Sequence, residues 1–170
     1  AANYLWHGAN INGLEANTVY YYKVKSGSEE SPVFRFRSYQ NPATAKGHVR
    51  VLIVGDTQHP TTAQRTFAAA KAKLIEKYGP DLEDQVQLIL KQGDNVDAGV
   101  LSQYTSMHFD PLSNLSGNIP TMTVLGNHEY YQNSDLSYYF PHFEFDDPDI
   151  QYNGLAGQNA EHYYAFRAGS

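Results

Sequence analysis

The chain of 170 residues contains no cysteine, which excludes disulfides, thiolate catalysis and cysteine-held zinc, and leaves its redox compartment undecided. No apolar run approaches the roughly 20 residues of a membrane-spanning helix. The opening residues, AANYLWHGAN, lack the basic and apolar stretches of a secretory leader. A membrane span is therefore not expected. Positive charge is scarce too: 12 Lys and Arg against 18 Asp and Glu give a formal charge of −6, with no polybasic stretch to grip a phosphate backbone. Nucleic acid is not expected as a bulk partner. Oligomeric state is unknown from the sequence. What is present is an ordinary globular composition, 41% apolar and 18% charged, long enough for about one domain or one and part of another. Its oddity is 14 tyrosines, crowded at 20–22, 130–131, 138–139 and 163–164.

The first segment alternates as a half-buried sheet does. Val19 to Val24 reads as a strand, SGSEESP as a turn, and Val33 to Arg37 as a second strand, a hairpin too small to be stable alone. A Ser-, Asn-, Pro-, Ala- and Gly-rich stretch at 39–47 reads as a linker. Beyond it the pattern changes. Val49 to Val54 is an apolar strand; Thr61 and Gln64 offer a capping box; Ala63, Phe67, Ala70, Leu74 and Tyr78 line one helix face, which Gly79-Pro80 ends. Val86 to Leu90 predicts a strand, Gly99 to His108 a helix and Thr121 to Leu125 a third strand. A parallel β-α-β-α-β core follows from that alternation.

Three times an apolar strand runs into Gly and then Asp or Asn: Gly55-Asp56, Gly93-Asp94 and Gly126-Asn127. Any one alone reads as a turn, because Gly, Asp and Asn are the commonest turn residues. Three in order, each after a strand, read as one site at the C-terminal rim of a parallel sheet. Two carboxylates held close there repel unless a cation lies between them, so Asp56 and Asp94 call for a metal. Asn127 adds a carbonyl oxygen, and His128 is either a nitrogen ligand or a proton donor, a set suited to Mn, Fe or Zn.

With Gly55-Asp56, Gly93-Asp94-Asn95-Val96-Asp97 and Gly126-Asn127-His128-Glu129 in that order, the chain resembles the calcineurin-like metallophosphoesterases from about residue 49 to 170. The resemblance implies two divalent or mixed-valence metal ions, bridged by Asp94, with Asp56 on one and Asn127 on the other. It makes His128 the proton donor or charge stabiliser at the phosphate, and Asp97 the carboxylate that orients His128. "NGLEANTVYYYKV" further resembles the closing strands of a fibronectin type III sandwich, a pairing similar to the purple acid phosphatase branch. The branch resemblance implies a secreted or extracytoplasmic location. That branch usually carries an iron-binding Tyr at the position of Asp97, so a divalent pair without purple colour is expected here, and Gln58 and His59 depart from its pattern as well.

The expected organisation is the C-terminal part of a fibronectin-like domain at 1–38, a linker at 39–47, and at 48–170 the N-terminal half of a metallophosphoesterase domain. The family's later histidine blocks are not among His7, His48, His59, His108, His128, His142 and His162. The metal centre is thus expected to be incompletely ligated, and the 170 residues alone inactive. The expected parent is a metal-dependent phosphoesterase acting on phosphate esters; the alternative is a binding or adhesion module that keeps the fold without the catalysis. Tyr130, Tyr131, Tyr138, Tyr139 and Phe140 read as either a substrate wall or aromatic packing, and 145–149 as an acidic loop lacking the ligand spacing of a calcium site.

Overall fold

A computed structural model describes residues 7–41, 43–45, 47–143 and 164–166. The acidic run at 146–149, Tyr163 and His162 lie outside the described residues. The chain opens with the expected hairpin. β1 (Val19–Tyr22) pairs antiparallel with β4 (Phe34–Arg37), and the turn between them carries two short strands, β2 (Lys25–Ser26) and β3 (Glu29–Glu30). Tyr20 stands opposite Phe36 and Tyr22 opposite Phe34, with ring centroids 5.6 and 5.4 Å apart, the cross-strand aromatic pairs that give a short hairpin much of its stability.

The rest is a parallel sheet ordered β5 (Val51–Val54), β6 (Leu88–Lys91), β7 (Thr121–Thr123), with α1 (Pro60–Tyr78) crossing from the first strand to the second. The second crossover contains α2 (Leu101–Gln103), a π-helical stretch (Tyr104–Phe109) and α3 (Asp110–Ser116). Ala63 and Phe67 of α1 meet Ile89 of the central strand and Leu112, Leu115 and Ile119 in one apolar cluster. Val96, Tyr104, Leu136, Tyr139 and Phe143 form a second. Tyr139 is therefore core, and aromatic packing accounts for the 138–140 group.

Two local expectations need correction. The first helix starts earlier than a Thr61 capping box would have it, with His59 at the N-cap position making no side-chain cap bond, because Pro60 fits the first helical position with its fixed φ and lacks only a donor that would have had no partner. The second helix does not stop at His108. Pro111 cannot donate, yet the chain absorbs it through the wider π-turn, where the Asp110 N–H reaches back five residues to the Thr105 carbonyl, and helix continues to Ser116.

Hairpin and sheet are docked by specific contacts. The Tyr22 hydroxyl donates to the Gly117 carbonyl at 2.8 Å. Arg35 reaches Asp81, Glu83 and Asp84, and the Arg37 Nε donates to Asp84 at 2.7 Å. Arg37, then Arg35, holds the Asp84 carboxyl below its ordinary range.

Candidate metal centre

The three Gly-Asp and Gly-Asn turns follow the C-terminal ends of three adjacent parallel strands. Asp56 and Asp94 adopt φ of 52° and 49°, the left-handed region that costs most side chains on the order of 1–3 kcal/mol. Both are locked there by neighbouring turns. The Thr57 N–H donates to the Asp94 carbonyl at 3.2 Å, and Asp94 Oδ1 accepts the His128 N–H at 3.1 Å. Gly93 and Gly126 meet backbone to backbone: a Cβ on Gly93 would lie 2.6 Å from the Gly126 nitrogen, and one on Gly126 would collide with Asp94 Oδ1. Both contacts require glycine.

Beneath the rim lies a buried clasp that the sequence reasoning missed. Glu129 is fully buried, and its carboxylate accepts three backbone N–H groups: Asp94 at 3.1 Å, Asn95 at 2.6 Å and Gly126 at 2.6 Å. One side chain thus ties the second turn to the third. Lys91 is 1% exposed, sits over the Phe67 ring at 5.3 Å, and donates to Thr57 Oγ1. Burial pulls its pKa down to about 8, opposed by the carboxylates of Glu129, Asp56 and Asp94. A signal for it existed: Lys91 follows Ile89 at the strand period of two, so its cation had to point into the same core-facing layer.

His128 and Asp97 are brought together, with unequal contacts. The His128 Nδ1 lies 2.8 Å from the Asp97 main-chain carbonyl and 3.5 Å from its carboxylate. The closer acceptor is a carbonyl, so Nδ1 carries the proton and Nε2 is the other available ring nitrogen. Asn127 donates through Nδ2 to the Tyr131 hydroxyl at 2.8 Å. His59 is exposed at the head of α1, and the Gln58 Oε1 is buried without a hydrogen-bond partner.

Among the described residues no three His, Asp or Glu side chains gather as a metal cage. The donor set offered by the turns is instead two carboxylates and an amide oxygen, held on strained, hydrogen-bonded backbone, which is the oxygen-rich chemistry that hard and borderline divalent cations take. These residues fit part of such a centre.

The sequence model of the calcineurin-like phosphoesterases matches residues 49–169. The chain belongs to that family, whose members in general use divalent metals on phosphate esters. Among solved structures, a purple acid phosphatase, PPD1 from seeds of yellow lupin (Lupinus luteus), aligns with a TM-score of 0.49 at 22% identity over 68% of this chain. The chain spans 22% of the length of that protein. No curated protein sequence matches it. Among the described residues no helix is long and apolar enough to cross a membrane.

Proposed function

We propose that this chain carries the carboxylate-rich part of a dinuclear metal centre in a phosphoesterase similar to the purple acid phosphatases, acting in an extracytoplasmic setting. The observation that carries the reading is a chain of contacts joining the three strand-end turns: the buried Glu129 ties the second to the third, and the Thr57 N–H donated to the Asp94 carbonyl ties the first to the second, with Asp56 and Asp94 both held in left-handed backbone. Asp56, Asp94 and Asn127 would hold the metals. When bound, the metals supply Lewis-acid neutralisation of phosphoryl charge and a nucleophile at neutral pH.

The chain's own residues do the rest. Asp94 stays oriented because its carboxylate accepts the His128 N–H, which also fixes where the histidine backbone sits. His128, with its Nδ1–H donated to the Asp97 carbonyl, turns Nε2 to the leaving-group oxygen, and delivers a proton there when the ring is doubly protonated. Lys91 offsets part of the negative charge under the rim, so the acidic turns persist at close quarters before a metal arrives. The organisation that goes with this reading is a fibronectin-like unit to residue 38, a linker at 39–47 and the catalytic part from 48. The Ser38 N–H donated to the Thr18 carbonyl carries the β1–β4 pairing up to that boundary, and the Asn17 N–H to the Tyr39 carbonyl carries it one residue further.

The test is hydrolysis of p-nitrophenyl phosphate by the protein encoded by the whole reading frame, supplied with Mn²⁺, Zn²⁺ or iron. Metal-dependent turnover that falls by at least about 10²-fold in Asp94→Asn is expected, since bridging and charge neutralisation both go with that carboxylate. A protein that binds no metal and hydrolyses no ester leaves the binding-module alternative in its place.

A further inference from the structure

Tyr131 stands apart from the other tyrosines that follow Glu129. Like Tyr130 it belongs to neither apolar cluster and is largely exposed, so core packing does not account for where its ring lies. Three contacts do, and they are what distinguish it. Its hydroxyl receives the Asn127 Nδ2 hydrogen at 2.8 Å, its ring centroid is 4.7 Å from that of His128 at a 52° tilt, and its own N–H donates to the His128 carbonyl at 3.1 Å. A single side chain therefore touches the amide and the imidazole that lie next to each other at the end of β7.

An amide has one oxygen and one nitrogen end, and only the oxygen can ligate a hard cation. With Nδ2 committed to the phenol, Oδ1 is the end left for a metal. Without the phenol the amide can rotate and present either end, and part of its affinity is lost in ordering it. We infer that Tyr131 is a positioning residue of this site, fixing the Asn127 amide with Oδ1 as its ligating end through its hydroxyl and bracing the His128 ring with its face. This inference rests on the metal-centre reading above and adds to it a residue that the three sequence blocks do not contain. Its position four residues after Asn127, across one short 3₁₀ turn (His128–Tyr130), is what lets the phenol fold back onto the amide.

The experiment uses the whole protein and two variants, Tyr131→Phe, which removes only the hydroxyl, and Tyr131→Leu, which removes the ring as well. Mn²⁺ affinity is measured by calorimetry, and the side-chain amide of Asn127 is followed by ¹⁵N NMR in metal-free protein. Tyr131→Phe is expected to weaken Mn²⁺ binding by about 10-fold, the lower end for outer partners of metal ligands, and to shift the Asn127 side-chain amide resonances. Tyr131→Leu is expected to lower metal-saturated turnover below that of Tyr131→Phe, because His128 then loses its brace. Tyr130→Phe, one residue away and making neither contact, should bind Mn²⁺ as the wild type does. Mn²⁺ affinity of Tyr131→Phe within twofold of wild type overturns the inference, whatever the resonances do. So does a weakening accompanied by resonance changes spread over the whole protein, because positioning confines them to the neighbourhood of Asn127 and His128. A wild type that binds no Mn²⁺ sinks the metal-centre reading itself and this inference with it, an outcome distinct from a wild type that binds and a variant that matches it.

Discussion

Asp97 reaches His128 with two oxygens, and the nearer is the one a side-chain substitution cannot remove. From the sequence, Asp97→Asn is expected to cost turnover within the general acid–base range of about 10²–10⁴-fold. The geometry lowers that expectation. The carboxylate is half-exposed at 3.5 Å, where solvent weakens its pull, while the carbonyl contact at 2.8 Å survives the change. Steady-state kinetics on metal-loaded whole protein should show Asp97→Asn losing less than about 10²-fold and His128→Asn losing about 10²–10⁴-fold. Equal losses would mean the carboxylate does the orienting. Glu129 gives the converse case. Glu129→Gln leaves one acceptor oxygen where three backbone donors converge, so at least one buried N–H goes unpaired, a cost of about 3 kcal/mol in urea unfolding of metal-free protein. A change below about 1 kcal/mol would contradict the clasp. Gly-Asp, Gly-Asp and Gly-Asn were legible because turn chemistry is local. The Glu129 clasp was not, because its partners Asp94 and Asn95 lie 35 and 34 residues away and meet it only after the sheet has formed.

At the scale of the element, period decides what is readable. Of the predicted face Ala63, Phe67, Ala70, Leu74 and Tyr78, the core cluster takes Ala63, Phe67 and Leu74, and Gly79 ends α1 with φ of 90° and an N–H to the Ile75 carbonyl. The order of the sheet's strands comes from the structure, while their parallel sense followed from strand–helix alternation. The run through Asp110-Pro111 did not, since a proline reads as a break unless the preceding turn widens, and that depends on the aromatic packing around it. His108 sits in that widened turn, edge-on to Phe109 and Phe143. Burial, then the nearby Lys91 and His142 charges, push its pKa down to about 3. The unfolded chain binds a proton near the ordinary histidine value of about 6.5, and the folded chain resists it until about pH 3. The stabilising contribution is thus complete above about pH 6.5 and is lost progressively as pH falls toward 3. His108→Leu should flatten the acid limb of a melting-temperature profile between those values. A variant whose profile parallels the wild type would show that His108 does not drive that limb.

On the scale of the whole molecule, the hairpin is fastened to the sheet by one arginine–carboxylate knot. Arg35 and Arg37 converge on Asp84, with Asp81 and Glu83 beside it, and the Tyr22 hydroxyl adds a bond to Gly117. Sequence alternation revealed the hairpin, but nothing in Arg35 or Arg37 announced partners more than 40 residues on, in a short 3₁₀ turn (Leu82–Asp84). Asp84→Asn removes the anion both guanidiniums share, so limited proteolysis should cut faster within 39–47, with the melting of the sheet shifted little. Unchanged cleavage would mean the aromatic face of the hairpin alone holds it.

The proposed function stands on three strand-end turns making one metal site. Anomalous diffraction at the manganese edge, on crystals of the whole protein soaked in Mn²⁺, tests it most directly. The account predicts a peak in contact with the Asp56 and Asp94 carboxylates and the Asn127 amide oxygen. A peak held by other residues while those three stay free, or none at all in a soaked crystal, would contradict it.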